Sequence, residues 1–145
     1  MSSELSSLKP DKLWKHFTEI LKIPHGSGNE QALANYILNL ARNWNLEAHQ
    51  DRVGNVVVRK PASPGKENSP GVVLQAHLDM VCEKNSDVKH DFLKDAIQAY
   101  IDGEWVKAKG TTLGADNGIG VAACLAVLED RSLTHGPLEC LFTVE

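Results

Sequence analysis

His77 and Asp79 stand one residue apart at the end of a short apolar run, residues 72–76. In an extended strand, side chains two positions apart project to the same side, so this imidazole and this carboxylate converge. They do so where a strand gives way to a loop, and ligand sites of open α/β sheets gather at those carboxyl ends. A neutral imidazole is a good zinc ligand, and a carboxylate beside it fixes the ring tautomer and raises its basicity. A His-x-Asp tripeptide is short, however. Taken alone it reads more simply as a hydrogen-bonded pair that holds no metal.

The second concentration of chemistry is residues 110–120, GTTLGADNGIG, where four glycines surround one carboxylate, Asp116. Glycine lets backbone approach a ligand closely, and negative charge at a helix start is favoured by the free N–H groups there. A Walker phosphate loop is excluded, because no Gly-Lys-Ser/Thr follows. The run Gly118-Ile119-Gly120-Val121-Ala122-Ala123 does match a G-x-G-x-x-A dinucleotide pattern, with Glu145 as a ribose acceptor. That fingerprint has to follow directly on a hydrophobic strand, whereas KAKGTTLGADN precedes it here. A dinucleotide-binding domain using Gly118 and Gly120 therefore stands second. A plain glycine-rich turn entering a core helix, in a non-catalytic α/β module, explains the glycines and leaves the carboxylate without a role.

Some scaffold must bring residues 77–79 to position 116. Leu13, Trp14, Phe17, Ile20 and Leu21 recur at helical spacing and predict a helix over residues 10–21. Pro10 suits its first turn and Pro24 stands just beyond its end. Ser27 and Glu30 match a capping box, opening a second helix with Leu33, Tyr36, Ile37, Leu40, Ala41 and Trp44 on one stripe. Neither helix is assigned any chemistry. Residues 46–50 and 55–59 read as strands, residues 61–70 as a turn-rich loop, and 72–76 as a strand buried on both faces. Asp102-Gly103 signals a hairpin within residues 100–107. The glycine-rich stretch leads into a helix ending near residue 128, and residues 138–144 form a last strand. The alternation argues an α/β fold, with helices packed on a largely buried sheet.

The chain's 145 residues suit one domain. With 42% hydrophobic and 23% charged residues, its composition is that of an ordinary globular protein. A formal charge of −4 and a pI near 5.8 provide no electrostatic reason to expect nucleic acid. The 15 basic residues are scattered, so no membrane-surface patch is expected. The first residues lack the order of a signal peptide, and no apolar run approaches the roughly 18 residues of a transmembrane helix. The three cysteines, Cys82, Cys124 and Cys140, are too few and too widely spaced for a disulfide framework or a cysteine zinc site. A cytoplasmic protein is expected.

In order along the chain, VVLQAHLDMV, HDF, YIDGEWVKAKGTTLGADNGIG and HGPLE resemble the dinuclear-zinc exopeptidases, the family of the aminoacyl-histidine (Xaa-His) dipeptidases. The likeness runs from the first helix to residue 145. It implies an α/β fold with a mixed central sheet flanked by helices, of which residues 1–145 are the N-terminal portion of the catalytic domain. An inserted dimerisation domain, and with it a homodimer, would lie outside them. It implies metal-dependent hydrolysis of dipeptides, Xaa-His and other unblocked ones, by a metal-bridged water. Two zinc ions per full-length chain are implied, with cobalt or manganese as possible substitutes. Residue by residue, His77 would bind one metal, Asp116 would bridge both, and Asp79 would be the catalytic carboxylate that orients His77. Glu145 would occupy the variable position of a Thr-Val-x-Glu-Glu motif, so the general base and a further ligand would follow it; Glu145 as the base itself needs that motif shortened by one. The resemblance also implies a cis peptide between Asp116 and Asn117.

Other polar residues rank lower. His90, Asp91 and Asp87 fall in a polar loop and read as solvated surface or pocket rim. His16, His25, His49 and His135 suit exposed or capping roles, and Trp105 reads as core.

Overall fold

The computed structural model describes residues 2–145. After a 3-10 turn at Ser2–Ser7 come helices α1 (Asp11–Leu21) and α2 (Gln31–Asn43), then strands β1 (Glu47–Gln50), β2 (Val56–Lys60) and β3 (Val72–His77). A hairpin of β4 (Ala99–Asp102) and β5 (Trp105–Ala108), helix α3 (Ala115–Glu129) and strand β6 (Leu138–Thr143) complete the chain. These elements lie close to the expected ones. The hairpin turns at Gly103, φ 63°, with Asp102 opposite Trp105. Glycine reaches that left-handed conformation without steric cost.

The main sheet has the order β1-β2-β6-β3. β1 with β2 and β2 with β6 are antiparallel, while β3 and β6 run parallel. Parallel neighbours need a crossover, usually through a helix, and α3 provides it. Because α3 returns the chain across the sheet, its first turn stands beside the carboxyl end of β3. That connection puts Asp116 next to His77.

Burial alternates along the strands as the pleat requires. Leu138, Cys140 and Phe142 of β6 are buried, and Val58 and Val56 of β2 lie opposite the latter two. Phe17, Ile20 and Leu21 of α1, Leu33 and Ile37 of α2, and Val121 and Leu125 of α3 join them in one cluster. Burying each large side chain contributes about 1.5–3 kcal/mol. Helix α3 is apolar nearly all round, as befits a helix packed against both α1 and β3. Its last turn is tied down by Lys60, whose Nζ donates to the carbonyls of Val127 (2.8 Å) and Asp130 (2.6 Å).

Three expectations need correction. Strand β3 is not buried on both faces: among the described residues it pairs with β6 alone, and Val72 and Val73 are 49% and 58% exposed. A continuous apolar run reads the same in an edge strand as in a central one. Trp105 is not core either; it is 69% exposed at the hairpin tip. His16 and His25, expected to be exposed or capping, are each 2% exposed. His16 lies three residues after Leu13 and four before Ile20, which sets it on the inward face of α1. There its Nε2 meets Oε1 of Glu129 in α3 at 2.8 Å, and Lys15 reaches the other oxygen. His25 turns its Nδ1 to the Ile23 carbonyl at 2.6 Å.

Candidate metal centre

His77 ends β3 with a carboxylate on each ring nitrogen. Nδ1 is 3.0 Å from Oδ1 of Asp79 and 3.0 Å from the Asp79 carbonyl. Nε2 is 2.9 Å from Oδ1 of Asp116. Partial burial works against the imidazolium, but the hydrogen bonds to Asp116 and Asp79, with the Asp79 charge, outweigh it and hold the pKa of His77 above the ordinary range. Asp79 is held below the usual carboxylate range by a hydrogen bond from Ser27 above all, and desolvation, the next influence, is outweighed once the charge and hydrogen bond of His77 are added.

Asp116 comes from the irregular start of α3. Gly114 caps the helix in the left-handed conformation, φ 80° and ψ 16°. A Cβ there would also stand 2.9 Å from Sδ of Met80, whose side chain would have to shift. Asp116 (φ −95°, ψ 97°) and Asn117 (φ −119°, ψ 32°) depart from helical geometry, and the peptide joining them is cis. The Asp116 side chain is 96% exposed, leaving its second carboxylate oxygen open beside the one that meets His77.

The dinucleotide reading finds no support in this geometry. Gly118 and Gly120 lie inside α3, where Gly118 approaches Phe17 and Gly120 approaches Ala76 of β3. Each packs against protein, and neither forms a phosphate-binding turn. The strand before α3 is β5 of the separate hairpin, and Glu145 faces Glu30 and Asp79.

The loop before α2 contributes residues that the sequence reading left to scaffold. Ser27 and Glu30 do not form a capping box: Glu30 itself is the N-cap residue of α2 and makes no side-chain cap bond. Ser27 Oγ instead donates to Oδ2 of Asp79 at 2.6 Å. Glu30 is 8% exposed, and its Oε2 accepts from the Glu145 backbone N–H at 3.3 Å. Oxygens of Glu30, Asp79 and Glu145 lie within 4.8 Å of one another. The Ser-x-x-Glu spacing is a local pattern, and partners about 50 and 115 residues away leave no trace in it.

His77 and Asp116 are the open donors. An imidazole nitrogen and a carboxylate oxygen side by side, with Asp79 on the far ring nitrogen, make a donor set that suits a zinc-type cation. Among the other expected residues, His90 packs edge-on to Phe92, with ring centroids 4.5 Å apart, and His49 pairs with Glu47 at the surface. His135 bonds the neighbouring Gly136 carbonyl, and Asp91 organises its own loop. The structure brings none of these to His77.

A mixed sheet with an α3 crossover that delivers a helix-start carboxylate to a strand-end His-x-Asp is a zinc-exopeptidase-like α/β domain. The same architecture appears, at 14% identity and a TM-score of 0.53 over 90% of this chain and 34% of the other, in a dinuclear metal-binding peptidase of Bacillus subtilis. Nearer relatives are dipeptidases. The chain is 59% identical over 142 residues, 98% of its length, to the cytosol non-specific dipeptidase of Escherichia coli. It superimposes on the aminoacylhistidine dipeptidase of Vibrio alginolyticus with a TM-score of 0.96 and 57% identity over 99% of the chain. It spans 29% of the length of each of these two proteins. No family model matches the chain.

Proposed function

We propose that the protein containing these residues is a cytoplasmic metallo-dipeptidase that hydrolyses unblocked dipeptides, Xaa-His among them. Residues 1–145 would form the N-terminal portion of its catalytic domain, in keeping with the 29% of each dipeptidase that they span. The observation that carries the reading is His77 held between Asp79 and Asp116, at 3.0 and 2.9 Å, in a chain with such relatives.

His77 Nε2 and Asp116 would hold the metal, with Asp116 using both carboxylate oxygens to bridge two ions. Zinc is the proposed metal, and cobalt or manganese would be tolerated by oxygen-rich donors. When bound, such a pair makes an attacking water more acidic and polarises a scissile carbonyl. Asp79 accepts a hydrogen bond from the Nδ1–H of His77, which leaves the Nε2 lone pair as the one that would face the metal. The glutamate that takes the water's proton would follow Glu145, and an inserted dimerisation domain would make the protein a homodimer.

Metal content and activity of the purified full-length protein test this. The expected result is about two zinc-type ions per chain, activity on dipeptides that chelation abolishes, and loss of both in His77→Ala. Full dipeptidase activity in His77→Ala, or in metal-free protein, would overturn the assignment.

A further inference from the structure

Ser27 reaches the site by backbone pairing. Its N–H donates to the Met80 carbonyl at 3.2 Å, and the Met80 N–H donates to the His25 carbonyl at 3.0 Å. Gly26 and Met80 thus form a parallel bridge immediately after His77-Leu78-Asp79. The approach is close enough that a Cβ on Gly26 would fall 2.6 Å from Sγ of Cys82. The loop is therefore docked before any side chain is considered, and Ser27 emerges beside Asp79.

The two oxygens of Asp79 then have separate tasks. Oδ2 accepts from Ser27 Oγ at 2.6 Å, and Oδ1 accepts from His77 Nδ1 at 3.0 Å. Glu30 and Glu145 each bring a carboxylate oxygen within 4.8 Å of one of Asp79, and like charges so placed repel. Ser27 resists displacement of Asp79 by anchoring the oxygen that His77 does not use.

We propose that Ser27 is a positioning residue of this centre: its hydroxyl fixes the Asp79 rotamer, and Asp79 in turn holds His77 as the Nδ1–H tautomer with Nε2 aimed at Asp116. The inference rests on the metal-centre reading above. Outer partners of this kind typically change metal affinity or activity by about 10–100-fold.

The test compares wild-type, Ser27→Ala, Ser27→Thr and His77→Ala forms of the full-length protein. Zinc affinity is read by chelator competition, kcat and KM on a dipeptide, and the His77 Nδ1–H to Asp79 hydrogen bond by the Nδ1 proton shift in NMR of the zinc-loaded protein. Ser27→Ala should bind zinc about 10–100-fold more weakly. It should lower kcat with little change in KM, and shift the Nδ1 proton signal upfield at an unchanged melting temperature. Ser27→Thr, which keeps the hydroxyl, should restore all three. Wild-type affinity, kcat and Nδ1 proton shift in Ser27→Ala would overturn the role of Ser27 alone, as would equal losses in the Thr variant. Unchanged zinc binding in His77→Ala would instead overturn the metal reading, and with it the affinity arm.

Discussion

Asn117 turns its side-chain oxygen back over Gly120, so that a methyl group placed on Gly120 would lie 2.1 Å from that oxygen and 3.2 Å from the Cβ of Ala76. One glycine therefore lets the Asp116–Asn117 turn fold against its own helix and lets the helix sit on β3. Gly120→Ala should destabilise the protein by about 1–3 kcal/mol, the usual cost of overpacking, and should displace Asp116. Gly71→Ala is the control, since its added Cβ meets only the ordinary 3.7 Å contact with the Pro137 carbonyl. Urea unfolding of both variants checks this. Equal stability of Gly120→Ala and Gly71→Ala would show that the contact is not limiting.

Asp116 and Asp79 should fail differently. Asp116→Ala removes the proposed bridging ligand, so both metals and all turnover should be lost together. Asp79→Asn keeps the size of the side chain but removes the charge facing His77 Nδ1. It should still fill with metal at saturating zinc, though with about 10–100-fold weaker affinity, while activity falls by a similar factor. Metal analysis alongside kcat distinguishes them, and normal activity in Asp116→Ala would refute the proposed ligand set.

The 145-residue chain by itself should not hydrolyse dipeptides. His77 and Asp116 are two donors, where a zinc site normally uses three or four protein ligands, so zinc should bind it weakly. Incubation with zinc and a dipeptide, followed by chromatography of the products, is the measurement. Chelator-sensitive turnover by this chain would mean that it carries a complete site.

Acid should cost stability through His16. Burial holds its pKa below the ordinary range, against the Glu129 hydrogen bond and charge that push the other way, with Lys15 a smaller lowering influence and Glu19 a smaller raising one. His25 is lowered likewise, by burial against its bond to Ile23. The unfolded chain then takes up protons at these positions before the folded one does. Their contribution is complete above about pH 6.5, where an ordinary histidine titrates, and is lost as pH falls from there. His77, with its raised pKa, contributes in the opposite sense, so the informative quantity is a difference between variants. The fall in melting temperature from pH 7.5 to 5.5 should be shallower in His16→Gln than in wild type. An identical or steeper fall would assign the acid sensitivity elsewhere.

Much of the molecule was legible in residue order. Helical spacing in residues 10–21, the Asp102-Gly103 turn and the apolar strands are local patterns, and local sterics and periodicity set the elements they specify. His77, Asp79 and Asp116 could be singled out as well, because a carboxylate among glycines and a histidine at a strand end are unusual where they stand. What sequence alone left open depends on distant partners. Ser27 and Glu30 satisfy a capping pattern, yet the fold directs one to Asp79 and the other to Glu145. His16 reads as an ordinary polar helix residue until α3 brings Glu129 over it. Val72 and Val73 read as interior until the strand order leaves β3 at an edge with one partner. Backbone geometry and apolar periodicity are encoded within a few residues of where they act. Burial, charge pairing and the second partner of a polar group are set by chain segments that meet only after folding, so only the tertiary structure could decide them.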